Sequence, residues 1–86
     1  MYEVIITRKV SKAISKLRGP LRERVEIAIT SLAEDPGPQG YIKIKGEDDT
    51  YRIQVGNYRI IYLIIDDKLV VTVTKFANRS DAYKKK

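Results

Sequence analysis

Between Thr50 and Ala77 the chain reads TYRIQVGNYRIIYLIIDDKLVVTVTKFA, and this stretch limits the possible folds more than any other. Apolar and polar residues alternate through it, and Gly56-Asn57 interrupts the pattern with two residues that tolerate positive φ, the signature of a two-residue hairpin loop. Closing that loop on Val55 and Tyr58 sets Gln54 opposite Arg59, Ile53 opposite Ile60, Arg52 opposite Ile61 and Tyr51 opposite Tyr62. Asp66-Asp67 reads as a second loop of the same length. Closing it on Ile65 and Lys68 pairs Leu63 with Val70, Tyr62 with Val71, Ile61 with Thr72, Ile60 with Val73 and Arg59 with Thr74.

Directly opposite residues share a face, so the two hairpins test each other. They sort the strands the same way. One face collects Tyr51, Ile53, Ile60, Tyr62, Ile64, Leu69, Val71 and Val73, and carries no charge. The other collects Arg52, Gln54, Arg59, Ile61, Leu63, Val70, Thr72 and Thr74. A slip of one residue in either hairpin would set arginines among isoleucines.

The apolar face needs a cover, and the N-terminal half supplies it. Tyr2 to Thr7 is rich in β-branched residues and predicts a first strand. Thr7 can cap a helix whose apolar positions Val10, Ala13, Ile14 and Leu17 follow helical spacing. Gly19-Pro20 suits a helix end followed by a new first turn. A second helix, about Pro20 to Glu34, carries the stripe Leu21, Val25, Ala28, Ile29 and Leu32. So short a joint makes the two helices an antiparallel αα-hairpin with one shared apolar side. Asp35 to Gly40 is a loop, and Tyr41 to Lys45 alternates as a short strand. Residues 1–86 thus predict a single α+β domain: an antiparallel sheet with an N-terminal strand, covered on one face by an αα-hairpin, in the order β-α-α-β-β-β-β with a short C-terminal tail.

Composition excludes several chemistries. There is no cysteine, hence no disulfide scaffold, thiolate metal site or cysteine nucleophile, which fits a reducing cytoplasm. There is no histidine, the side chain that most often moves protons near neutral pH. Neither a metal nor another cofactor is expected. No apolar run approaches the roughly 20 residues of a membrane span, so a cytoplasmic protein without membrane association is expected. The net charge is +6, from 17 basic and 11 acidic residues. That suits either a basic soluble domain or one with a polyanionic partner.

The uncovered face separates these possibilities. Arg52 and Arg59 lie diagonally across one hairpin, without a carboxylate on those strands and with Ile61, Leu63 and Val70 beside them. They are either solvated surface charges or planar forks for the oxygens of a phosphate-bearing ligand. With Thr74 opposite Arg59, the tail NRSDAY would emerge at the same end. That brings Arg79 and Tyr83 within reach, the tyrosine either packing on the sheet edge or stacking on a base.

The tract YRIQVGNYRIIY, the closing NRSDAY and the order of elements resemble the RelE/ParE toxin superfamily over nearly the whole chain. The resemblance implies the toxin of a type II toxin–antitoxin module, a metal-independent endoribonuclease that cuts mRNA in the ribosomal A site by 2′-hydroxyl attack. It also implies a RelB-like antitoxin and the mRNA-bearing ribosome as partners. By the same resemblance Arg52, Arg59, Arg79 and Tyr83 are the candidate catalytic residues: Arg59 clamps the scissile phosphate, Arg79 stabilises the transition state or leaving group, and Tyr83 stacks or helps proton transfer. Lys43, Lys45, Gln54 and Thr74 are the expected RNA contacts. Two positions depart from the pattern. Gln54 stands where strong RelE nucleases carry a lysine, and Asn78 where relatives often have histidine. The alternatives are a ParE-like inhibitor of DNA gyrase and a catalytically degenerate RNA-binding homologue.

Overall fold

The structure, a computed structural model, describes residues 1–78. Its elements in chain order are β1 (Glu3–Ile6), α1 (Arg8–Ser15), α2 (Gly19–Ser31), β2 (Ile42–Lys43), β3 (Thr50–Val55), β4 (Tyr58–Ile65) and β5 (Val70–Asn78), with a 3-10 turn at Asp66–Lys68. The strands form one sheet in the order β1-β5-β4-β3-β2. The expected α+β class holds. β2 through β5 are antiparallel, whereas β1 returns beside β5 in parallel, so the sheet is mixed.

Thr7 caps α1 as its side chain suggests: it is extended, and its hydroxyl accepts from the Val10 N–H at 3.4 Å. The joint between the helices depends on Gly19, whose φ of +62° a side chain would strain. Pro20 then occupies the first turn of α2. Both helices are shorter than their apolar stripes suggest, because α2 gives way at Leu32 to a run of turns. Val10, Ile14, Val25, Ile29 and Leu32 from the helical side meet Ile53, Ile60, Tyr62, Val71 and Val73 from the sheet in one buried core.

The first hairpin has the expected register at every pair from Tyr51–Tyr62 to Val55–Tyr58. The second does not. Its connection runs through the 3-10 turn and Leu69, so the strands close on Ile65 and Val70 instead of Ile65 and Lys68. Leu63 therefore faces Thr72 and Tyr62 faces Val73. This two-residue shift keeps each side chain on its expected face, which is why face sorting alone could not detect it. It also moves Leu69 out of the sheet. That residue is a turn position with φ +54° and is 51% exposed, contrary to the expected apolar face.

A β-bulge then interrupts the β4–β5 ladder between Ile61 and Tyr62, where Tyr62 pairs with Val73 but Ile61 pairs with Lys75. Thr74 is the extra residue, and its hydroxyl donates to the Ile61 carbonyl at 3.3 Å. Beyond it the phase of β5 reverses. Phe76 faces Ile60 and packs against the core, while Lys75 and Ala77 face Ile61 and Arg59. The expected opposition of Arg59 and Thr74 is thus replaced by Arg59 and Ala77.

The first strand after the helices shrinks to Ile42–Lys43, with Ile42 opposite Arg52 and Lys43 opposite Tyr51. The Tyr41 ring stacks on Tyr51 at 5.3 Å and lies against Gly37, where an added Cβ would come within 3.0 Å of it. Tyr62 donates from its buried ring to the Pro36 carbonyl at 2.8 Å, tying the loop after α2 to the sheet. Among the described residues no helix is long and apolar enough to cross a membrane.

Candidate functional site

The face away from the helices carries the strand positions paired with Arg52 and Arg59. Arg52 lies between Ile42 on β2 and Ile61 on β4, and Arg59 lies between Gln54 on β3 and Ala77 on β5. Both arginines are half-buried, their stems resting on neighbouring side chains. Ile61, Leu63, Val70 and Thr72 are half-buried on the same face, and Ile5, beside Thr72, is largely exposed. Among the described strand positions on this face one carboxylate occurs, Glu3 beside Val70. It lies five residues along β5 from Lys75, about 16 Å at strand rise, so it does not neutralise the arginine end.

The expected site residues divide into three groups. Arg52, Gln54 and Arg59 share the open face. Gln54 is exposed, but its amide donates to the Gly56 carbonyl at 3.1 Å, so it braces its own hairpin turn. Thr74 sits at the bulge with its hydroxyl turned back to the β4 backbone. Lys43 falls on the opposite face, because its partner is Tyr51, and Lys45 lies beyond β2 in the exposed loop toward β3. The structure therefore does not bring Lys43 together with the arginines; Ile42 takes that place. Arg79 and Tyr83 lie outside the described residues. Asn78 pairs with Tyr58, one position beyond Arg59 and Ala77, so β5 ends at the arginine end of the face.

One cation escaped the sequence reading. Lys75 shares this face because of the bulge, and it is exposed. Strict alternation from Val71 and Val73 would point it into the core. A lysine at an inward position, followed by Phe76 instead of an apolar residue 75, is the signal of a phase change. Lys75 and Lys9 of α1 line a groove of about 570 Å³ together with Ile61, Phe76 and Ala77. The groove runs from the open face around the end of β5 that β1 does not cover. Among the described residues no three carboxylates gather into a set that could hold a metal ion.

A sheet with one face under a helix hairpin is also what the comparisons with known proteins return. The family model of the ParE toxin of the type II toxin–antitoxin system parDE matches residues 4–83. The chain belongs to the RelE/ParE toxin family. The mRNA interferase toxin RelE of Escherichia coli is 29% identical over 80 residues, 91% of this chain and 83% of that one. The archaeal RelE–RelB complex of Pyrococcus horikoshii contains a chain that superposes with a TM-score of 0.81 at 30% identity, covering 91% of this chain and 94% of the other. The intact E. coli RelBE toxin–antitoxin complex gives 0.77 at 28% identity, covering 91% and 96%. The mixed sheet and helix hairpin are thus the RelE/ParE fold, and the cations stand on its open face.

Proposed function

We propose that this chain is the toxin of a type II toxin–antitoxin module and cuts messenger RNA in the ribosomal A site. The observation that carries the reading is the pairing geometry that puts Arg52 and Arg59 on one face, over apolar ground, with Glu3, the one carboxylate among the described strand positions of that face, at the far end. Such a surface suits a phosphodiester, since each guanidinium offers a planar fork to phosphate oxygens. The likeness to a relative named as an mRNA interferase supports the same substrate class.

In this mechanism the ribose 2′-oxygen forms a bond to the adjacent phosphorus as the bond to the 5′-oxygen breaks. The 2′-hydroxyl loses a proton and the departing oxygen gains one. Arg59 holds the phosphate, Arg52 and Arg79 offset the charge that builds on it, and Tyr83 stacks on a base or moves a proton. Fixed positive groups aimed at the phosphorane are a large contribution to rate in such a site. Gln54 is an amide and cannot accept the 2′-proton. The partners are an antitoxin that covers this surface and the ribosome that presents the message.

Inducible expression followed by mapping of transcript ends tests the reading. Codon-phased cuts within translated messages are the expected result. The matching family model is that of the ParE toxin, which favours gyrase poisoning as the second reading. Intact messages with trapped gyrase–DNA breaks would establish it in place of the first.

A further inference from the structure

We infer that Lys75 is a substrate-contacting residue of the site, placed there by the β-bulge at Thr74, and that its ammonium binds the RNA phosphate backbone beside Arg59. The inference rests on the nuclease reading and adds a residue to it.

The geometry makes Arg59 the middle of a three-strand arrangement. Arg52 on β3 and Lys75 on β5 both pair with Ile61 on β4, and Arg59 lies two residues from Ile61 on the same strand face. Arg52 and Lys75 are two strand spacings apart, about 10 Å at the backbone. Three long cationic side chains therefore surround the Ile61 side chain, within reach of adjacent phosphates on one strand of RNA.

The bulge is what makes this possible. Without the extra residue Thr74, Lys75 would continue the inward phase of Val71 and Val73, and a lysine would enter the core. Bulges occur where a strand must re-aim a side chain beside a functional site. Phe76 shows that the phase has reversed, since it packs against the core opposite Ile60. Lys75 itself is exposed, and among the described residues no carboxylate pairs with it. It also lines the groove that continues from this face toward Lys9, which gives an RNA strand leaving the arginines a second cation along its way.

The test compares Lys75→Ala, Lys75→Arg and Lys75→Gln in the full chain, with Arg59→Ala as control. Two readouts are used: cleavage of a translated message, and binding of a short single-stranded RNA carrying a 2′-deoxy nucleotide at the cut position. Lys75→Ala and Lys75→Gln are expected to slow cleavage about a hundredfold, the lower end of what losing one preorganised transition-state contact costs. Lys75→Arg is expected to retain most of the activity. The slope of log affinity against log salt should fall by about 0.7 for the neutral variants, one phosphate contact on a single strand. Their melting temperatures should match the parent chain, since the side chain is exposed. If Lys75→Ala cleaves and binds as the parent does while Arg59→Ala is inactive, the role of Lys75 is overturned and the nuclease reading stands. If the parent chain leaves messages intact and Lys75→Ala leaves the salt slope unchanged, both are overturned.

Discussion

Tyr62 has its ring in the core, while its hydroxyl donates to the Pro36 carbonyl at 2.8 Å. Burial, with smaller contributions from Tyr41 and Asp35, pushes its phenol well above the ordinary 10.0. Below that value both folded and unfolded chains keep the proton, and the stabilisation is complete. Above it the unfolded chain ionises while the folded one resists, so stability falls as pH rises. Tyr62→Phe should cost about 1 kcal/mol at neutral pH, from the lost hydrogen bond. The variant should also decline less steeply above pH 10.0, which thermal melts of both proteins across that range would show. Leu69 presents the opposite case, an exposed side chain held at φ +54°. A left-handed backbone costs a branched or bulky residue about 1 kcal/mol, so Leu69→Asn should raise the melting temperature. Arg59→Ala should abolish growth arrest on expression while its circular dichroism stays that of the parent chain. A folded and fully toxic variant would remove Arg59 from the site.

The elements were legible in the sequence wherever two patterns had to agree. The β3–β4 hairpin was fixed by Gly56-Asn57 together with the alternation around it, and each of its expected pairs is present. The helix stripes were legible because Val10, Ile14, Val25, Ile29 and Leu32 repeat at helical spacing and end buried. Leu32→Ala should accordingly cost about 2–5 kcal/mol by leaving a cavity under the sheet, measurable by urea unfolding. The β4–β5 connection was misread because Asp66-Asp67 carries a weaker turn signal. A loop longer by two residues preserves every face, so no clash of polarity exposed the error. The bulge was missed for a different reason: Thr74 is a good strand residue in either arrangement, and only Lys75 and Phe76 together reveal the change of phase. Lys43, expected among the RNA contacts, pairs with Tyr51 on the other face, and no second hairpin in the sequence fixes the parity of that isolated edge strand.

For the molecule as a whole, the open face combines exposed or half-buried apolar side chains with the half-buried Arg52 and Arg59 and the exposed Lys75. Such a surface is one that a partner covers. Two solved relatives are in complex with the antitoxin RelB. Co-expression with the product of an adjoining antitoxin gene should suppress growth arrest. In the purified complex it should also raise the melting temperature, by an amount that grows with partner concentration. Failure of every neighbouring gene product to do either would count against a two-protein module.

The place of β5 between β1 and β4 has a consequence for biosynthesis. Residues 3–6 lie beside residues 70–73, so the first strand made finds its neighbour only when the last has been made. Until then the helices have no complete sheet to rest on, since Val71, Val73 and Phe76 are missing from the core. Contacts of such long sequence separation also slow folding, because the intervening loop must close before they contribute. A nascent chain can therefore complete neither its sheet nor its core until β5 has been made, and a copy that stops before Val70 lacks the neighbour that both β1 and β4 require.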